Sequence, residues 1–100
     1  MSQQQHVGSV HTTVRKHDGA LSVVYHSTEI VRAYNDGRIV LDSGGWRTAT
    51  TKTRMNQAAN QYDLGFQVWQ RNGSWYVGYQ GAEVPFVDGM TIGGRHEEER

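Results

Sequence analysis

The residues best suited to chemistry lie between Gly44 and Gln57. Gly44-Gly45 lets the backbone come close to a ligand, Trp46 offers a stacking face, and Arg47, Lys52 and Arg54 bring positive charge into an interval, Asp42 to Asp63, that holds no acid between its ends. A helix starting here also leaves its first N–H groups without intrahelical partners, at the positive end of the helix dipole. A phosphate would be held by those N–H groups, by the hydroxyls of Thr48, Thr50 and Thr51, and by the cations. The same residues have plainer uses that stand equally at this level. Gly-Gly turns the chain out of a strand, Trp46 fills the core, the threonines cap the helix, and Arg54 pairs with Asp42 or Asp63.

Two further sets could meet nucleic acid. Asn56, Gln57, Asn60 and Gln61 share a polar helix face, and amides that donate and accept can read base edges. A solvated helix face needs no such purpose, and few cations flank this one. Trp69, Trp75, Tyr76 and Tyr79 could stack bases on a sheet, but alternation puts Trp75 and Tyr79 on one face and Tyr76 on the other. Trp75 is therefore expected in the core, and an outward ring is left to Trp69 or Tyr76.

Enzymatic and metal signatures are missing. The sequence has no Gly-x-Ser-x-Gly elbow, phosphate loop, His-Glu-x-x-His or dinucleotide fingerprint. Asp42, His26 and Arg47 are the loose candidates for a nucleic-acid cleavage chemistry, and the expectation is that the protein is not an enzyme. His6, His11, His17, His26 and His96 show no i, i+4 spacing and no cysteine supports them. His11 and His26 are placed to meet across a hairpin, but neither a metal nor another cofactor is expected.

The elements that must position these groups are written in turn signals. Asx-Gly pairs between extended apolar runs mark two-residue hairpins, and here they are Asp18-Gly19, Asp36-Gly37, Asn72-Gly73 and Asp88-Gly89. They separate Val10 to Lys16 from Leu21 to His26, Ile30 to Tyr34 from Arg38 to Asp42, Phe66 to Arg71 from Trp75 to Tyr79, and Val84 to Val87 from Met90 to Ile92. The continuous run Ile39-Val40-Leu41 predicts a central strand covered on both sides. Met55, Ala58, Ala59 and Tyr62 follow i, i+3, i+4, i+7, which predicts a helix over about 51–63 with these four buried. Thr50 or Thr51 is expected to cap its start, and Gly65 to end it in the left-handed C′ position. The fold class is α+β: a curved antiparallel sheet built from hairpins with one amphipathic helix packed on it.

One hundred residues fit one domain, expected over 7–92, with a polar, disordered stretch at 1–6 and a flexible charged tail at 93–100. Ten Lys plus Arg balance ten Asp plus Glu, and three of the acids, Glu97, Glu98 and Glu99, fall in the tail. The middle is thus locally basic although the whole chain is neutral. No cysteine, no signal-like start and no long apolar run point to the cytoplasm.

The stretches Ser43-Gly44-Gly45-Trp46, Thr50-Thr51-Lys52, Arg54-Met55-Asn56-Gln57 and Leu64-Gly65-Phe66, followed by the strand Trp75-Tyr76-Val77, make the chain resemble a family of small bacteriophage-encoded proteins over roughly residues 25–92. The resemblance implies a host-cell cytoplasmic setting and a phage accessory role, and no activity. Together these readings lead to a non-enzymatic accessory protein that binds nucleic acid through a basic loop and helix start. The alternative is an inhibitor that docks on a host protein through an aromatic surface or a sheet edge.

Overall fold

The computed structural model describes residues 12–45 and 47–93. The expectations for the two polar ends, for Val10 and His11, and for Trp46 fall outside the described residues.

Eight strands and one helix follow in the order β1 (Thr12–His17), β2 (Ala20–Tyr25), β3 (Thr28–Tyr34), β4 (Arg38–Leu41), α1 (Ala49–Gln61), β5 (Phe66–Arg71), β6 (Ser74–Tyr79), β7 (Ala82–Pro85) and β8 (Met90–Gly93). The fold is α+β, with all strand pairs antiparallel. The strands divide between a five-stranded sheet, β1-β2-β3-β4-β8, and a three-stranded one, β5-β6-β7.

Local turn chemistry explains most of the hairpins. Asp18-Gly19 joins β1 to β2 and Asn72-Gly73 joins β5 to β6, with positive φ at both residues of each pair, as a type I′ turn requires. The Asp36-Gly37 turn has three residues, Asn35 to Gly37, with Gly37 at φ 95° and its N–H on the Tyr34 carbonyl at 3.1 Å. Asp36 holds that loop by accepting from the Arg38 N–H at 3.0 Å. Gln80-Gly81, which carries no Asx signal, makes the β6–β7 turn with φ 53° and 83°.

The expected last hairpin does not form. Asp88-Gly89 does turn the chain, with the Met90 N–H on the Val87 carbonyl at 3.0 Å. Its two arms part, however: β7 pairs with β6 and β8 pairs with β4. With β8 paired to β7 instead, β4 would have kept an unpaired edge; the observed crossing gives β4 a partner and links the two sheets.

The helix starts earlier than its apolar stripe suggests. Thr48 is the N-cap, and its hydroxyl accepts the Thr51 N–H at 3.2 Å. Thr51 cannot serve as the cap because it lies a turn inside and is fully buried. At the other end Asp63, at φ 57°, takes the left-handed position expected for Gly65, and the Leu64 N–H reaches back to the Ala59 carbonyl at 2.9 Å. That bond is the 6→1 link of a Schellman motif, which an Asp tolerates because its short side chain fits the left-handed region.

Met55, Ala58 and Ala59 are buried as expected, while Tyr62 is half-buried at the rim. Met55, Ala58 and Ala59 meet Val23, Val31, Ile39 and Leu41 from one sheet and Phe66, Val68, Trp75 and Val77 from the other in one apolar cluster. Each such aliphatic side chain contributes about 1.5–3 kcal/mol on full burial. β4 is interior, between β3 and β8, but among the described residues its two faces differ: Ile39 and Leu41 are buried and Val40 is half-buried.

Candidate functional site

The loop from Asp42 to Arg47 leaves β4 and delivers the chain to the helix start. Its anchor is Asp88, 45 residues away in sequence, whose Oδ1 accepts from the Ser43 N–H at 2.8 Å and from the Ser43 hydroxyl at 2.7 Å. Ser43 is 1% exposed, so these bonds satisfy a buried polar group. The Ser43 hydroxyl in turn accepts from the Gly45 N–H at 3.2 Å, and Asp42 accepts from the Gly44 N–H at 2.7 Å. Gly44, at φ 64°, lies so close to the β2–β3 hairpin that a Cβ would stand 2.3 Å from the Thr28 hydroxyl. The first glycine is thus required by packing, and Gly45 by its φ of 85° alone.

Arg47 and Lys52 converge on one ring. The Arg47 guanidinium stands 6.0 Å from the Trp75 ring and 5.1 Å from that of Phe86, and the Lys52 ammonium stands 5.7 Å from Trp75. Lys52 also donates to Gln70 at 3.1 Å, and Arg47 lies 3.7 Å from Asp88 Oδ2. Partial burial pushes the Asp88 carboxyl upward, but the Ser43 hydroxyl and N–H and the Arg47 charge outweigh this and hold it below the usual carboxylate value. The helix N–H groups of Ala49 and Thr50 have no place in the helical ladder, and the first turn holds no acid.

The predicted site residues therefore separate. Gly44, Gly45, Arg47, Thr48, Thr50 and Lys52 come together at the helix start. Thr51 is buried, bonded to Thr48 through both its N–H and its hydroxyl. Arg54 pairs with neither Asp42 nor Asp63: its Nε donates to the Thr12 hydroxyl at 3.2 Å, its NH1 donates to Gln57, and it lies over the Tyr25 ring. Asn56 is bound to the backbone of Val68, and Asn60 is exposed beside a polar cavity of about 660 Å³ between the helix and β5–β7. Ser43 and Asp88 were missed as site residues, because Asp88-Gly89 reads only as a turn and nothing local ties it to position 43.

The loose cleavage candidates are engaged separately: Asp42 with Gly44, Arg47 with Asp88, and His26 against the Tyr25 ring at 4.4 Å. Among the described residues no three His, Asp or Glu side chains are grouped as a metal would need. On the sheets, Trp75 is core, edge-on to Phe86 at 5.4 Å. Trp69 and Tyr76 stack on the outer face of the three-stranded sheet, 6.3 Å apart, with Arg71 over Tyr76 at 4.7 Å. Both outward rings exist, and Trp69 lies over Gly78, where a Cβ would come 2.9 Å from it.

Comparison with known proteins decides the lineage. The family model described as Kyanoviridae Gp96 protein matches residues 1–93. The chain belongs to that bacteriophage protein family. No curated protein and no solved structure matches it. No helix among its described residues is long and apolar enough to cross a membrane.

Proposed function

We propose that this Gp96-family protein is a non-enzymatic phage accessory protein that binds nucleic acid in the cytoplasm of the infected cell, through the 44–47 loop and the start of α1. The observation that carries the reading is the placement of Arg47 and Lys52 over one Trp75 ring beside a helix start whose first two N–H groups lie outside the helical ladder and whose first turn holds no acid. Thr48 and Thr50 add hydroxyls. Asp88 opposes the reading by sharing Arg47, and a bound phosphate must compete with it. The test is a salt titration of binding to a fluorescent oligonucleotide. Arg47→Ala with Lys52→Ala should lower the slope of log affinity against log salt by about one to two units. Wild-type binding that is absent at low salt, or untouched by the double substitution, overturns the proposal.

One observation favours a second reading. β7 is an edge strand exposed along its whole length, and Val84 and the following Val87 are 37% and 59% exposed. An edge with apolar side chains is what a host protein pairing by strand addition would use. Capture of one host protein that survives high salt and is lost in Val87→Asp would support that inhibitor reading instead.

A further inference from the structure

The face of the five-stranded sheet turned away from the helix carries arginines that no strand pattern singled out. Register aligns Arg15 with Ser22, Ser22 with Arg32 and Arg32 with Val40 in one row across β1 to β4. Their neighbours Val14, Val23, Val31 and Leu41 face the core, so alternation turns the arginine row outward. Arg38 and Tyr34 lie one row along on the same face, and the helix and the second sheet pack against the other one. Among the described residues the outer face thus holds three guanidinium groups and the carboxylate of Glu29, with Asp18 and Asp36 on the adjoining turns.

Glu29 and Asp36 each form an ion pair with one arginine, which offsets its charge but also fixes its orientation. Glu29 accepts from Ser22 and from Arg32 Nε at 2.9 Å, and Asp36 accepts from Arg38 Nε at 2.9 Å. A guanidinium has five N–H donors, so a bond at Nε fixes its plane and leaves the terminal fork that matches phosphate. Tyr34 sets the spacing, with Arg38 at 4.2 Å and Arg32 at 5.7 Å from its ring. Arg15 is exposed, and no acid among the described residues pairs with it. Oriented guanidinium forks, with Arg15 as the one that no acid among the described residues pairs, suit the oxygens of a polyanion.

We propose that this face, through Arg15, Arg32 and Arg38, is a second contact surface for the phosphate backbone of a nucleic acid. The proposal rests on the nucleic-acid reading above and adds to it a surface separate from the helix start. The test compares Arg15→Ala/Arg32→Ala/Arg38→Ala with Arg47→Ala/Lys52→Ala for binding to a fluorescent oligodeoxythymidine across a salt series. The triple variant should lose at least about tenfold in affinity at low salt and about two to three units of salt slope. The same three positions changed to Lys should keep most of that slope. Because Arg32 and Arg38 also hold Tyr34, thermal melting checks the fold. Should the triple variant not fold, exposed Arg15→Glu alone still has to lower the slope by about one unit or more.

A triple variant, or a folded Arg15→Glu, that keeps the wild-type slope overturns the second surface. If only the Arg47/Lys52 pair matters, the helix-start reading stands and this one falls. If only the sheet arginines matter, the reverse holds. No binding by the wild-type chain overturns both.

Discussion

Asn56 holds Val68 by both of its backbone groups: the amide Nδ2 donates to the Val68 carbonyl at 2.9 Å and Oδ1 accepts the Val68 N–H at 2.8 Å. Val68 sits on β5, an edge of the three-stranded sheet. One side chain of the helix thus does for that edge what a neighbouring strand would do, satisfying a ladder pair and blocking strand addition there. The geometry gives Asn56 a structural occupation that its place on a polar helix face does not suggest.

Asn56→Ala should lower stability by about 1–3 kcal/mol, since both Val68 groups lose their partner in a partly buried setting. Chemical denaturation measures it. A neutral result would mean that water replaces the amide without cost.

Asp88 should control the acid limb of stability. Its carboxyl is held below the usual value in the folded chain, so its contribution is fully present above the ordinary Asp pKa of about 4 and is lost as pH falls through the depressed one. Asp88→Asn should flatten the fall of melting temperature in that acid range. The same variant frees Arg47, so its oligonucleotide affinity at neutral pH should rise. An unchanged acid limb would show that Ser43 is held without the carboxylate charge.

Gly73→Val should cost about 1–2 kcal/mol from backbone strain alone, because the residue sits at φ 82° with nothing within 4 Å of a new Cβ. Gly44→Ala should cost more, since it adds a clash with Thr28 to a similar strain. Melting temperatures in the order wild type, Gly73→Val, Gly44→Ala check both. The reverse order would mean that the Thr28 side chain moves aside freely.

Met55→Ala should destabilise by about 2–5 kcal/mol, because Met55 is fully buried between the sheets. Exposed Asn60→Ala, five positions on, should stay within about 0.5 kcal/mol of wild type. Denaturation midpoints for the pair test which face of the helix is apolar.

The sequence by itself determined the features whose causes are local. A positive φ is a demand on one or two residues, so Asp18-Gly19 and Asn72-Gly73 were legible as turns, and Gln80-Gly81 was not because Gln is no turn signal. The helix face was legible because its period repeats within one element, and the gathering of Gly44, Arg47, Thr48 and Lys52 followed from their nearness in the chain. Tertiary structure alone decided the rest. Asp88-Gly89 turns the chain either way, and only the strand edges that β4 and β6 offer take its arms into different sheets. The hold of Asp88 on Ser43, of Asn56 on Val68, and the row of Arg15 and Arg32 are relations between distant positions. They depend on which strands become neighbours, and hydrogen-bond partners across a sheet leave no spacing in the sequence.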